Sequence, residues 1–184
     1  MTADVVHLLL ANAALLGALF VGLWGINLLT RDPSFVDSWW GPGMAVLAAS
    51  TYLQAGNPGP HRTALTLLCA AWGLRLGGYL LWRWRRHGPD KRYAEMMKDA
   101  QERRGWSYPL ASGLIVFALQ APLQFIVALP VQLGQASEPG AFGWVAWMGA
   151  ALAVTGIAFE SIGDWQLVRF KADPANKGKV LQTG

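Results

Sequence analysis

Phe159-Glu160-Ser161-Ile162-Gly163-Asp164-Trp165-Gln166-Leu167-Val168-Arg169-Phe170-Lys171 begins as the end of an apolar run and finishes as a basic one. The apolar run behind it starts near Phe142, so the segment is about as long as the roughly 20 residues a helix needs to cross a bilayer core. Only helices and closed barrels satisfy the backbone in lipid, and a run of this length is no barrel strand. The stretch reads as a membrane helix emerging on a basic side. Glu160 and Asp164 lie four residues apart, which puts both on one helical face. A carboxylate at membrane depth is costly and faces a protein interior or a wet cavity. This face is therefore expected to hold something polar.

Reading outward, the apolar segments are Val5 to Leu29, a shorter Gly-rich one from Val36 to Leu53, Thr63 to Trp84, Tyr108 to Val131, and Phe142 to Leu167. The composition agrees. Of the 184 residues, 53% are hydrophobic and only 14% charged, against about 25% charged in soluble domains. Ten Trp suit the membrane interface. The expected fold is all-α, a polytopic transmembrane helix bundle forming one domain over residues 1–184. The N-terminus lacks a basic n-region, so the first segment reads as a membrane helix rather than a cleaved signal. The lone Cys69 excludes an intrachain disulfide and a cysteine metal cluster. His7, His61 and His87 are too scattered for a metal site, and none is expected. The net charge of +4 is no nucleic-acid signature, because the cations sit in a few loops.

Those loops set orientation. Arg31 follows the first segment, and residues 83–104 hold eight of the fifteen Lys and Arg. The tail carries Arg169, Lys171, Lys177 and Lys179. The two remaining loops hold only Arg62. Basic loops stay cytoplasmic, which predicts the N-terminus outside and the C-terminus inside. Within the cytoplasmic loop at 85–106, His87-Gly88-Pro89-Asp90 is a turn. Lys91 to Arg104 then reads as a short polar helix closed by Gly105. That helix is either a solvated connector or a basic rim over a pocket.

Several polar residues sit where apolar ones are expected. Asp37 is either the N-cap of the second segment or an acid lining a cavity, and Gly41-Pro42-Gly43 loosens the helix beside it. Arg75 lies inside the third segment, where an unpaired charge is costly. It is expected to pair with Asp37, Glu160 or Asp164, or to hold an anion. Gln120 and Gln124, one turn apart, either bind a polar group or join helices. No P-loop, G-x-G-x-x-G, H-E-x-x-H or G-x-S-x-G occurs. A soluble Rossmann domain is excluded, because strands and helices do not alternate.

Four runs carry a family resemblance. They are Asp37-Ser38-Trp39-Trp40-Gly41, Trp72-Gly73-Leu74-Arg75-Leu76, Gly88-Pro89-Asp90-Lys91-Arg92-Tyr93, and Asp164-Trp165-Gln166-Leu167 with Phe170-Lys171-Ala172-Asp173-Pro174-Ala175-Asn176-Lys177-Gly178-Lys179-Val180. Together they resemble the DUF1295 group of the steroid 5-alpha-reductase superfamily, over essentially the whole chain. The resemblance implies a seven-helix membrane enzyme that uses NADPH to reduce a carbon-carbon double bond conjugated to a ketone, as in a 3-oxo-4-ene steroid. It implies that Glu160, Asp164 and Lys171 contact the cofactor, with Arg75, Asp90, Arg92, Tyr93, Asn176 and Lys177 around it.

Asp37 resembles the family acid that polarises the substrate ketone, a role it fills only by carrying a proton. Trp72 stands where the family places an aromatic hydroxyl, and Tyr79 is the other candidate, so the steroid specificity departs from the pattern. The resemblance further implies two helices after Gly184, making five of seven here and leaving the cofactor site unclosed by these residues alone. The implied partners are a hydrophobic enone lipid and membrane lipids, with no nucleic acid. A monomer in a bacterial inner membrane is expected. Two alternatives stand beside this reading. One is a related lipid-modifying enzyme, a sterol reductase or an isoprenylcysteine methyltransferase-like protein using S-adenosylmethionine. The other is a non-catalytic transport or scaffold protein.

Overall fold

A computed structural model describes residues 3–56, 59–137 and 141–182. The chain divides into two compact units, Met1–Ala141 and Phe142–Gly184. Every regular element among the described residues is helical.

The first unit opens with α1 (Ala3–Thr30), followed by a 3-10 turn (Ser34–Trp39) and α2 (Trp40–Gln54). Then come α3 (Pro60–His87), α4 (Lys91–Arg104) and α5 (Tyr108–Ser112). A π-helical turn (Gly113–Phe117) joins α5 to α6 (Ala118–Val127), and α7 (Leu129–Ala136) ends the unit. Four helical stretches are long and apolar enough to cross a membrane: Asp4–Thr30, Pro60–His87, Tyr108–Val127 and, in the second unit, Trp144–Ala172. These are the helices of an integral membrane protein.

The segment expected over 36–53 differs. It starts as a 3-10 turn and continues as a 15-residue helix, short of the roughly 20 residues of a full span. Asp37 lies inside the turn, and α2 has Trp39 at its N-cap with no side-chain cap bond, so Asp37 is not the cap of α2.

The segment expected over 108–131 also changes form. Pro130 has no N–H for the carbonyl four residues back, and its ring crowds that carbonyl. The helix therefore stops at Val127 and restarts at Leu129, with Pro130 in the first turn of α7. The restarted helix carries Gln132 and Gln135, both fully buried, through what the sequence reads as a loop.

α4 has the bounds expected for it. The Asp90 side chain caps it by accepting from the Arg92 N–H at 3.0 Å, and Gly105 closes it at φ 65°. It is no solvated connector, because Met97 and Ala100 are buried in one core with Leu16, Phe20, Val36 and Leu47. α2 packs most extensively on α3, and glycine makes this possible. Gly41 and Gly73 meet backbone to backbone, and Gly77 lies under the Pro42 ring and the Ser38 carbonyl. Small residues at such crossings let backbones approach within membranes.

Away from this crossing, a polar lock ties α1, α2 and α7. Buried Asn12 donates to Thr51 Oγ1 and Gln132 Oε1, both at 2.8 Å. Its Oδ1 accepts from Ser50 at 2.7 Å and Gln54 at 2.9 Å. All four hydrogen-bonding positions of the carboxamide are thus used. Asn12→Ala strands buried partners and is expected to cost ~1–3 kcal/mol, read from the unfolding midpoint in detergent against Ala18→Ser, a substitution outside the lock.

In the second unit, α8 (Trp144–Ala172) runs for 29 residues into a 3-10 turn (Pro174–Asn176). The Asn176 Nδ2 donates to the Phe170 carbonyl at 2.9 Å, satisfying one of the orphan acceptors at the helix end. Arg169 lies over the Trp165 ring at 4.8 Å.

Candidate functional site

The first unit brings an acid and a phenol together from segments 56 residues apart. The 3-10 turn carries Asp37 to the side of α4, and Tyr93 on the first turns of α4 donates its hydroxyl to Asp37 Oδ1 at 2.6 Å. Gln120 of α6 donates from Nε2 to the same hydroxyl at 3.3 Å. Trp40 of α2 donates from Nε1 to Gln120 Oε1 at 2.7 Å. The 3-10 turn, α2, α4 and α6 are thus linked through a single phenol. Burial first, and the bond to Asp37 second, push the Tyr93 phenol well above the usual tyrosine range. Tyr93 is therefore a hydrogen-bond donor throughout the physiological range.

A second set of bonds hangs α4 from the α1–α2 connection. Asp32 Oδ1 accepts from the Ser34 backbone N–H at 2.9 Å and its hydroxyl at 2.6 Å. Asp32 Oδ2 accepts from Trp84 Nε1 at 2.7 Å. The Ser34 hydroxyl oxygen in turn accepts the Asp90 N–H at 3.1 Å. Asp90 holds Arg92 through Nε and Nη2, the shortest contact 2.7 Å. Alongside lies a recess of about 600 Å³ lined by Arg31, Asp32, Met97, Lys98 and Tyr108, among others. Arg31 sits at φ 57°, where glycine is favoured, with its guanidinium 4.8 Å over the Tyr108 ring.

The pH behaviour of α4 follows from both ends of this arrangement. The Arg92 side chain, then the Arg92 backbone N–H, hold the Asp90 carboxyl below its ordinary range. Its contribution is present above the ordinary value of 3.8 and lost as pH falls through the lowered one. Tyr93 acts in the opposite sense, contributing fully below its ordinary 10.0 and losing that contribution as pH rises through the raised value. The Met97 methyl resonance, assigned with Met97→Leu, is expected to keep its buried shift between the ordinary values of 3.8 and 10.0 and to move only at lower or higher pH.

The other expected site residues fall as follows. Trp72 is half-buried against the apolar core. Tyr79 stacks on Trp82, ring centroids 6.2 Å apart. A hydroxyl that meets Asp37 is that of Tyr93. Arg75 is half-buried between Gly73 and Gly77 on α3. Gln120 and Gln124 both join helices, Gln124 by donating to the Trp40 carbonyl at 2.7 Å. In the second unit, Glu160 and Asp164 are half-buried on α8, Lys171 and Lys177 are exposed, and Asn176 closes the helix.

A family model described as a protein of unknown function (DUF1295) matches residues 23–184. The chain belongs to the DUF1295 family. No curated protein and no solved structure matches it. The DUF1295 match begins within α1 and takes in Asp32, Asp37, Tyr93, Gln120 and the whole of α8.

Proposed function

We propose that this DUF1295 protein is a membrane-embedded reductase that uses NADPH to reduce a carbon-carbon double bond conjugated to a ketone in a hydrophobic, steroid-like lipid. The basic ends of α3, α4 and α8 then face the cytoplasm. The observation that carries the reading is the hydrogen bond from Tyr93 to Asp37, a phenol and a carboxylate joined over an apolar core. Such a pair suits a carbonyl oxygen that must take up negative charge and then a proton.

What supports an anionic dinucleotide is the set of cations beside the recess. Arg92 is exposed and turns only Nε and Nη2 to Asp90, leaving Nη1 for a phosphate. Arg31 and Lys98 share with Asp32, Asp90 and Glu102 the wall of a recess of about 600 Å³, within the size range of ligand clefts. Glu160, Asp164, Lys171, Asn176 and Lys177 are the residues of the second unit proposed, on the family resemblance, to bind the cofactor. When bound, the cofactor supplies the hydride.

The chain's own residues handle the proton. An enone that has accepted hydride at its β carbon carries the charge on the ketone oxygen. Tyr93 gives that oxygen its proton, and Asp37 relays a replacement to Tyr93. The enol returns to the ketone with a hydrogen on the α carbon, and Asp37 takes a new proton from water.

The test is direct. The protein in nanodiscs, given NADPH and a 3-oxo-4-ene steroid, is expected to yield a product two hydrogens heavier with matching NADPH consumption. S-adenosylmethionine is expected to yield no methylated product. Absence of both NADPH consumption over a panel of enone lipids and any thermal shift with NADPH refutes the reading.

A further inference from the structure

The hydroxyl of Tyr93 sits in a chain of hydrogen bonds with a fixed direction, and the indole of Trp40 sets it. An indole N–H donates and has no lone pair to accept. Its partner on α6 must therefore present the carboxamide oxygen, and Gln120 Oε1 lies 2.7 Å away. That orientation leaves the Gln120 amino group facing Tyr93, at 3.3 Å. Bonded by an N–H donor, the Tyr93 oxygen offers a lone pair there, and its single proton must point elsewhere. Asp37 Oδ1, at 2.6 Å, is where it points. Amide orientations are otherwise ambiguous, but here the indole removes the ambiguity.

Trp40 is itself held at two places by α6. Gln120 takes its side-chain N–H, and Gln124, one turn on, donates to its backbone carbonyl at 2.7 Å. Gln124 is fully buried and fits because residue 43 is glycine: a Cβ there would lie 2.6 Å from the carboxamide. The indole that polarises the chain therefore cannot swing away.

We infer that Gln120 and Trp40 are positioning residues that fix the proton of the pair on Tyr93 and aim it, so that Asp37 is the acceptor at rest and Tyr93 the donor to substrate. This rests on the reductase reading for its kinetic consequence but not for its spectroscopic one. Gln120→Met keeps the length of the side chain and removes its donor. It is expected to lower kcat about 10- to 100-fold while KM for the enone stays within about twofold.

Independently, the protein has 4 Tyr, so the ring-carbon resonance of Tyr93 can be assigned in tyrosine-labelled protein with Tyr93→Phe. It is expected to shift in Gln120→Met while the other three hold. In Trp40→Phe the carboxamide can turn over, and the same signal is expected to split or broaden. A merely structural role lowers the melting temperature and leaves the Tyr93 signal in place. An unshifted Tyr93 signal in both variants overturns the inference. If the wild-type protein turns over no enone, the reductase reading fails and the Tyr93 signal alone decides this one. Should Gln120→Met not fold, Trp40→Phe carries both measurements.

Discussion

Tyr93→Phe is expected to lower enone turnover by two to four orders of magnitude, the range for loss of a positioned proton donor, while the protein still folds. The substitution removes one oxygen and keeps the ring, so the packing of α4 beside the core residues Met97 and Ala100 is preserved. Asp37 loses the donor that reaches it at 2.6 Å, and Gln120 loses an acceptor. The oxygen of the substrate then develops charge with no proton to meet it, a transition-state loss that appears in kcat more than in KM. Asp37→Asn is expected to be nearly as damaging, because it leaves Tyr93 in place but cannot return a proton. The two effects should not add, since the residues act as one unit. Steady-state kinetics on the single and double variants check this. A Tyr93→Phe protein retaining more than about a tenth of wild-type kcat rules the phenol out as the donor.

The second large effect is structural. Gly73→Ala is expected to cost about 3 kcal/mol or more and to lower the yield of folded protein, at the upper end for overpacking a tight contact. The added methyl would run into the carbonyl of Gly41 on α2. That neighbour is backbone, not the end of a flexible side chain, so relief requires the helices to separate along their main contact. Gly41→Ala meets the mirror-image collision with the Gly73 carbonyl and is expected to cost as much. Gly17→Ala in α1 is the control. Nothing lies within 4 Å of its added Cβ, and the better helix propensity is expected to stabilise by up to ~1 kcal/mol. Unfolding in mixed detergent micelles, followed by circular dichroism, compares the three. Equal midpoints for Gly73→Ala and Gly17→Ala would contradict the close helix approach.

Much of the architecture was legible because it depends on local chemistry. The apolar runs are long enough to name the membrane helices, and Asp90 and Gly105 mark both ends of α4 by capping and left-handed geometry. The break at Ala128 was missed because the apolar run continues unbroken through Pro130 to Val131, whereas Pro130 opens a new helix. Gln132 and Gln135 consequently seemed to belong to a loop. The site was less legible for a different reason. Asp37 and Tyr93 both stand out, one by its place at a membrane boundary and one by family resemblance, but their contact spans 56 residues and no periodicity encodes it. Asp32 and Ser34 escaped notice in the loop read only for the charge of Arg31. The Asp-x-Ser spacing, in which the carboxylate bonds the N–H two residues on, was the available sign. Gln120 and Gln124 showed only their shared helical face, not that both grip Trp40.

The way α4 is suspended also bears on how the molecule is made. Asp37 is synthesised early, in the connection after α1, yet its partner phenol lies on a surface helix translated after α3, and Gln120 follows later still on α6. A ribosome-bound chain that has inserted α1 to α3 already owns its carboxylate and its glycine-packed helix pair, but has no phenol to place on it. The hydrogen-bonded chain from Trp40 to Asp37 is therefore completed in one late event, when α6 enters the bilayer and its carboxamide meets the indole of Trp40. Nascent and prematurely terminated chains can reside in the membrane without ever completing that chain of bonds.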